Sequence, residues 1–328
     1  MKTIHTILFF FTALAISCNA AAQMQDKGNT QNRENAMKLS DITTKTKISD
    51  VKSDRDFGSW GRLIFPVNES YYSGNTLGDL RLTWYGHIDP NKTVEIVRYF
   101  KENAQSGKQV FYDIYTEEEK KIDPSKRETG LFFFRGKPGG RFAVCNAGGG
   151  MVYVGAMHDS FPHALELSKK GYNAFALIYR PGYETAMQDS ARAITFIFEH
   201  ADELSVNTDC YSLWGGSAGA RMAAYLGSYG TERFGGGKIP RAGTVVLQYT
   251  GHSDYTQNDP PTFVCVGKND GIASWRTMEK RAENLKALGI PVEFHAYDGL
   301  PHGFGLGTGT VAEGWLDLAV KFWEQQIK

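Results

Sequence analysis

Residues 215–219 read Gly215-Gly216-Ser217-Ala218-Gly219, and this stretch decides the fold prediction. An apolar run at 211–214 precedes it and a helix-prone run at 220–225 follows, so the context is a strand, a sharp turn and a helix. Glycines two residues to either side of the serine let strand and helix approach without Cβ clashes. The pattern indicates a nucleophilic Ser217 raised to the edge of a sheet; a Gly/Ala-rich turn with an incidental serine is the alternative.

A serine hydroxyl needs a base to take its proton and a third group to orient that base. Asp270 follows a predicted strand at 262–266, and His302 follows another at 292–297. Both come just past predicted strand ends, in the order serine, acid, histidine that this turn type predicts. Asn-Asp-Gly is also a common turn sequence, so Asp270 taken alone could be a turn residue. Together, the three positions predict a Ser217, His302 and Asp270 triad.

A glycine run at 148–150 follows the predicted strand 142–147. Cleavage of an ester places negative charge on the carbonyl oxygen, and backbone N–H groups can be directed at it. Gly149, Gly150 and Ala218, the residue after the serine, are the candidate donors of this oxyanion hole. No Lys-Ser/Thr follows the glycines and no Gly-x-Gly-x-x-Gly spacing is present, so phosphate-loop and dinucleotide sites are disfavoured.

Beyond residue 129 the chain alternates between short apolar runs and helix-length segments. This alternation predicts an α/β fold, with a mostly parallel sheet covered by helices on both faces. In such a sheet ligands bind beyond the carboxyl ends of the strands. The predicted strands and helices are 131–134, 142–147, 163–170 (helix), 174–179, 185–204 (helix), 211–214, 244–248, 262–266, 275–288 (helix), 292–297 and 315–327 (helix).

Residues 57–128 show a mixed pattern and form a predicted N-terminal extension, with 129–328 as the catalytic core. Asp89 and Pro90 predict a helix start, and alternation at 110–115 predicts a strand. We expect an extra layer, part of which lies over the site as a possible lid. Five aromatic residues are candidates for stacking on sugars, four in the extension and the last in the catalytic core: Trp60, Tyr71, Tyr72, Trp84 and Trp214. Packing in the hydrophobic core is the commoner role of such residues.

The first 22 residues have the pattern of a signal peptide: Lys2, an apolar run at 7–16 and small residues before position 23. A competing interpretation makes Cys18 a lipid-modified cysteine, because residues 14–18 resemble a bacterial lipobox. Either predicts export, to the periplasm or medium or as an envelope lipoprotein, with no membrane span. Residues 23–56 are polar and are expected to form a linker or a loosely docked arm.

Charge and cysteine usage exclude several partners. Lys plus Arg and Asp plus Glu both number 36, so nothing favours a nucleic acid. The four cysteines form neither a CxxC pair nor a metal-type pattern with histidine, and we expect no metal, cofactor or disulfide framework. His158 and His252 fall in loops at the presumed active edge. We expect that neither takes part in the chemistry, although both could line the pocket.

These motifs resemble the α/β-hydrolase superfamily, and within it the bacterial carboxylesterases and carbohydrate acetyl esterases related to the hormone-sensitive-lipase-like group. The resemblance covers about residues 130–328. It implies Ser217 as nucleophile, His302 as general base and then acid, Asp270 as its orienting partner, and Gly149, Gly150 and Ala218 as the oxyanion hole. The lipase-like glycine loop begins with histidine, where this chain has Ala147; this leaves one donor open, with Met151 as a possible substitute.

The leading hypothesis is a serine esterase that cleaves a short-chain or acetyl ester, on a small molecule or a glycan, through an acyl-enzyme. Two alternatives stay open: a serine peptidase or amidase on the same scaffold, and a binding protein without catalytic activity. The first is disfavoured because the sequence shows no obvious acidic anchor for an amine end, and the second because triad and glycine loop are intact.

Overall fold

The computed structural model describes residues 36–86 and 88–327. The predicted signal peptide, the lipobox with Cys18 and the first part of the polar arm, 23–35, lie outside these residues. Within the described ranges, none of the helices combines the length and the apolar character that crossing a bilayer requires.

An eight-stranded sheet forms the centre of the molecule, and a two-stranded ribbon lies in the N-terminal part. The strands are β1 (Tyr72–Ser73), β2 (Arg81–Leu82), β3 (Phe111–Tyr112), β4 (Gly130–Phe134), β5 (Gly140–Asn146), β6 (Asn173–Ile178), β7 (Val206–Gly216), β8 (Thr244–Gln248), β9 (Thr262–Gly267) and β10 (Val292–Tyr297). The ribbon consists of β1 and β2, and the order across the large sheet is β10-β9-β8-β7-β5-β6-β4-β3.

The six strands from β10 to β6 in this order pair in parallel, whereas β4 pairs antiparallel with both β6 and β3. The predicted, mostly parallel α/β sheet is therefore confirmed. β5 and β4 are buried along most or all of their length, as a sheet covered on both faces requires. The strand predicted over 110–115 is shorter and pairs only at Phe111 and Tyr112.

Helices cover the two faces of the sheet. On one face, Trp214 of β7 contacts Trp315, the first residue of a helix. Tyr211 points to the opposite face and contacts Phe198 of the helix Tyr183–Glu199. The helices are α1 (Ile48–Lys52), α2 (Pro90–Gln105), α3 (Glu117–Ile122), α4 (Ala156–Asp159), α5 (Phe161–Lys169), α6 (Tyr183–Glu199), α7 (Ala201–Leu204), α8 (Ala218–Tyr229), α9 (Trp275–Ala287) and α10 (Trp315–Gln325).

The predicted helix start at Asp89 and Pro90 is confirmed. The Asp89 carboxylate accepts hydrogen bonds from the backbone N–H groups of Asn91, at 2.9 Å, and Lys92, at 3.3 Å. Pro90 occupies the first turn, where its missing N–H costs no helical hydrogen bond. α2 packs its apolar face inward, and Phe100 is fully buried there.

The described part of the polar arm, 36–56, lies closer to the body than a linker or a loosely docked arm would. Ile42 and Val51 are fully buried. Lys101 of α2 donates to the Asp54 carboxylate at 2.8 Å, and neither side chain is exposed. A buried ion pair and two buried apolar side chains fix this stretch, which the overall polar composition of the arm conceals.

Candidate active site

Ser217 sits at the turn between β7 and α8 with a φ of 53° and a ψ of −115°. Its backbone N–H donates to the Gln248 carbonyl at 2.9 Å. A Cβ on Gly215 would lie 2.2 Å from the carbonyl carbon of Gly219, and a Cβ on Gly219 would lie 2.0 Å from the Asn146 oxygen. Only glycine permits this crossing, so the two glycines hold the serine in a strained conformation with its hydroxyl raised.

The structure brings the three predicted triad side chains together. Nε2 of His302 lies 3.0 Å from Oγ of Ser217, and Nδ1 of His302 lies 2.7 Å from Oδ2 of Asp270. Next to a carboxylate Nδ1 carries the proton and donates it, which leaves the Nε2 lone pair free to accept the serine proton. The three residues come from loops after β7, β9 and β10, at one edge of the sheet.

Backbone amides fix the other oxygen of Asp270. Oδ1 accepts from the N–H groups of Ile272 and Ala273, each at 2.8 Å. The Asp270 side chain is fully buried and that of His302 is 8% exposed. The imidazole is therefore held from behind by a carboxylate that is itself held by the chain, which is the arrangement that a general base requires.

The glycine loop after β5 lies beside the serine. Gly148 donates its N–H to Oδ2 of Asp159 at 2.8 Å and is thus occupied. Gly149 and Gly150 have φ angles of 120° and 63°, and neither N–H meets an acceptor among the described residues. Gly150 and Ala218 line the same cavity as Ser217 and His302, whereas Gly149 does not line it.

Asp159 was not singled out by the sequence analysis, yet it organises the floor of the site. Its carboxylate accepts from Gly148 and from the phenol groups of Tyr85 and Tyr249, and the side chain is fully buried. Burial together with the Asp159 charge raises the pKa of both tyrosines well above 10, so both remain donors at neutral pH. Asp159 follows His158 on a short helix, and no local sequence pattern identifies it.

Two aromatic residues of the N-terminal extension, Trp84 and Tyr85, lie beside the glycine loop of the site. Tyr85 is buried on Asp159. Trp84 has a left-handed φ of 71° and its side chain is 52% exposed. Its ring lies against the glycine loop, where a Cβ on Gly150 would come within 2.8 Å of it. Trp84 is therefore an exposed aromatic ring at the rim of the site.

The other aromatic residues that were candidates for sugar stacking have packing roles. Trp60 lies among Phe57, Phe100 and Phe132, with ring centroids 4.7 to 6.1 Å from its own. Trp214 is buried against Trp315. Tyr71 stacks on Tyr153 at 4.8 Å, and Tyr72 contacts Phe65 at 6.3 Å.

A cavity of about 350 Å³ opens in front of Ser217. Met151 and Ile272 contribute apolar surface, whereas Thr250, Ser274 and Thr277 contribute hydroxyl groups. Arg221 is the single lining residue whose side chain carries a permanent charge. A small cavity with both polar and apolar lining accommodates a compact ester.

His158 and His252 lie near the site but do not line this cavity. His158 is buried, and its Nε2 lies 2.7 Å from the Gly303 carbonyl, next to His302. Burial, with contributions from the charges of Arg281 and Arg221, lowers the pKa of His252 to about 4. Within the described part of the chain, no group of three or more His, Cys, Asp and Glu side chains is placed to hold a metal ion.

Comparison with known proteins identifies the fold. Residues 143–240 match the family described as BD-FAE. An α/β hydrolase from a Medee basin deep-sea metagenome library is 24% identical, with a TM-score of 0.52 over 61% of this chain and 93% of that one. An acetyl ester-xyloside bifunctional hydrolase from Caldicellulosiruptor lactoaceticus is 22% identical, with a TM-score of 0.58 over 66% and 95%.

Esterase 2 from Thermogutta terrifontis, in a form phosphorylated by paraoxon, is 22% identical, with a TM-score of 0.53 over 60% of this chain and 88% of that one. No curated protein matches the sequence. These solved structures are of hydrolases and esterases, and they share the fold of this chain. The matched segment contains the glycine loop and Ser217, and the sheet carries the expected topology. The chain therefore has the α/β-hydrolase fold that the resemblance in the sequence implied.

Proposed function

We propose that the protein is a serine esterase that hydrolyses carboxylic esters through an acyl-enzyme. The observation that carries the proposal is the unbroken chain of contacts from Ser217 Oγ through the His302 imidazole to the Asp270 carboxylate, at 3.0 and 2.7 Å. A hydroxyl in contact with a neutral imidazole nitrogen loses its proton as it attacks a carbonyl carbon.

In the first half of the reaction, Ser217 Oγ attacks the ester carbonyl and Nε2 of His302 takes the hydroxyl proton. His302 then gives that proton to the departing alcohol oxygen, and the acyl group stays on the serine. The Asp270 carboxylate stabilises the imidazolium that forms between these steps, because Nδ1 donates to it throughout.

Negative charge on the carbonyl oxygen requires donors that are already in place. The N–H groups of Gly150 and Ala218 at the cavity wall, and of Gly149 behind it, are assigned this role because no described acceptor competes for them. In the second half of the reaction, water replaces the alcohol, and His302 takes a proton from the water as its oxygen attacks the acyl carbon. His302 then gives this proton to Ser217 Oγ as the bond from that oxygen to the acyl carbon breaks, which releases the acid and the free serine.

We propose a short-chain acyl group, acetyl first, on a carbohydrate. A cavity of about 350 Å³ has to hold the acyl group and the first part of the alcohol, which favours a compact ester. Trp84 offers a flat ring at the rim, 52% exposed, on which a sugar ring stacks through its C–H face. That one structural neighbour is an acetyl ester-xyloside hydrolase is consistent with this choice. We also propose export to the cell envelope, because the first 22 residues have the sequence pattern of a signal peptide.

The proposal is tested by hydrolysis of 4-nitrophenyl acetate by the wild type and by Ser217→Ala. The wild type should exceed the variant by at least about 10³-fold in kcat, as loss of a triad nucleophile does. Equal rates would remove the esterase assignment. Acetylated xylan and mannan oligosaccharides, with simple esters of rising chain length, then locate the substrate.

An ester and an amide of the same acyl group separate an esterase from a peptidase. The cavity lining favours the esterase, because its one permanent charge, on Arg221, repels the ammonium group of a peptide amine end. We expect the anilide of acetate to be cleaved far more slowly than the 4-nitrophenyl ester. Comparable turnover of both would favour the amidase.

A further inference from the structure

Arg221 stands apart from the other charged groups around the catalytic cavity. It lies on α8, four residues after Ser217, so that the two positions share one face of the helix, one turn apart. Side chains on a helix lean towards its N-terminus, which here is the end that carries the serine. The Arg221 side chain is exposed and lines the cavity with Ser217 and His302.

The guanidinium of Arg221 has no hydrogen-bond or ion-pair partner among the described residues. Two other arginines show how this chain treats a guanidinium whose role is structural. Arg180 donates to the Asp189 carboxylate at 2.7 Å, and buried Arg281 is paired with buried Asp259. The five N–H donors of the Arg221 guanidinium are thus left without an acceptor in the described part of the chain.

Neighbouring groups do not neutralise this charge. His252, whose pKa burial lowers to about 4, adds no positive charge at neutral pH. Asp254, a nearby carboxylate, accepts from the Tyr229 hydroxyl at 2.7 Å and does not line the cavity. No acidic side chain is among the residues that line it, and the hydroxyl groups of Thr250, Ser274 and Thr277 complete its polar wall. Arg221 is therefore the one permanently charged side chain on the lining of the cavity in front of the serine.

A guanidinium that is planar, permanently charged and without an internal partner is suited to bind a carboxylate through two parallel hydrogen bonds. We propose that Arg221 is a specificity-determining residue that binds a carboxylate of the substrate, so that the preferred substrates are acidic esters, such as a glycan ester with a uronic acid. The inference rests on the proposed esterase function, and it names the substrate class of the same site. The carboxylate belongs either to the alcohol portion or to the acyl portion of the ester.

Two pairs of substrates test the inference and distinguish these sources. For the alcohol portion, 4-acetoxybenzoate is compared with its neutral methyl ester. For the acyl portion, mono-4-nitrophenyl adipate is compared with 4-nitrophenyl hexanoate. The wild type should prefer the charged member of one pair by about tenfold in kcat/KM, mostly through KM, and 0.5 M salt should reduce this preference.

Three variants locate the effect. Arg221→Gln should remove the preference, Arg221→Lys should keep part of it, and Arg221→Glu should reverse it, all measured as the ratio of kcat/KM for the charged and neutral members. Arg233→Gln is the matched control, because it removes an exposed positive charge on the helical turn Glu232–Phe234, outside the cavity. Its ratio should equal that of the wild type.

The outcomes separate this inference from the esterase assignment. If the wild type hydrolyses the neutral esters no faster than Ser217→Ala, the proposed function fails. If it hydrolyses them but does not prefer the charged member of either pair, or if Arg221→Gln retains the preference, the role of Arg221 is refuted while the esterase stands.

Discussion

The two sides of the catalytic cavity are built on different principles. The core side consists of Ser217, Asp270 and His302, each placed by a loop that directly follows a strand of the central sheet. On the other side, the buried Asp159 accepts from Gly148 of the glycine loop and from Tyr85 of the N-terminal extension, and Trp84 lies against Gly150. The first side is fixed by sheet topology, whereas the second depends on hydrogen bonds to one carboxylate. Residues of the core side should therefore determine whether the reaction occurs. Residues of the other side should determine the shape of the site.

The largest loss is expected from the core side. Asp270→Asn should lower kcat for 4-nitrophenyl acetate by about 10⁴-fold, because the amide no longer holds His302 with its proton on Nδ1. The melting temperature of the variant serves as the control for folding. A near-normal rate would remove Asp270 from the triad.

A smaller loss is expected when the fastening of the second side is cut. Asp159→Asn should lower kcat by about 10²-fold, because the glycine loop loses its charged acceptor and the proposed oxyanion donors lose their placement. The free energy of unfolding should fall by about 3 kcal/mol, since buried phenol donors are left with a poorer partner.

Tyr85→Phe and Tyr249→Phe distinguish catalysis from stability at Asp159. Each removes one of the hydrogen bonds to its carboxylate, and each should reproduce part of the fall in kcat at full occupancy of the site. If Asp159→Asn changes only the unfolding free energy and leaves kcat intact, Asp159 is a structural residue without a positioning role.

At the rim, Trp84→Ala should act on binding. We expect KM for an acetylated oligosaccharide to rise about tenfold more than KM for 4-nitrophenyl acetate, because only the sugar loses its stacking surface. Trp60→Phe is the matched control, as Trp60 belongs to an aromatic cluster away from the cavity. Equal changes in the two KM values would show that Trp84 does not contact the sugar.

The smallest expected effect is a pH dependence of stability, which comes from two buried histidines. Burial lowers the pKa of His163, on α5 behind Asp159, and of His252, beside the core side, each to about 4. In the unfolded chain both histidines have a pKa of about 6.5. Between pH 7 and pH 5 they therefore take up protons only in the unfolded state, and the free energy of unfolding decreases as the pH is lowered.

We expect each of the two histidines to account for about 1–2 kcal/mol of this loss at pH 5. Urea unfolding at the two pH values tests it: the difference should shrink by that amount in His163→Gln and again in His252→Gln. An unchanged difference in both variants would show that these histidines are accessible to protons in the folded state.

The sequence predicts the core side because its information is local. Glycines flanking Ser217 indicate a close crossing of strand and helix, and Asp270 and His302 follow predicted strands that end at one edge of the sheet. The mostly parallel sheet and the helix start at Asp89 follow from equally local patterns.

The second side could not be found in this way. Tyr85 and Asp159 are 74 residues apart and meet only after folding. Docking of the arm depends on Lys101 and Asp54, 47 residues apart, whose pairing no local pattern signals. Neither short-range periodicity nor composition indicates such contacts. The sequence therefore predicts only that part of the extension lies over the site, without naming the residues that contact it.

The central claim is that Ser217 is the one hydroxyl made reactive by its contact with His302, and covalent labelling tests it most directly. The wild type and His302→Ala, both with the fold checked by circular dichroism, are treated with a fluorophosphonate, and the modified peptide is identified by mass spectrometry. The account predicts one phosphonyl group per chain on Ser217 of the wild type and little or none on the variant. Label on another residue, or equal labelling of Ser217 in both proteins, would contradict it.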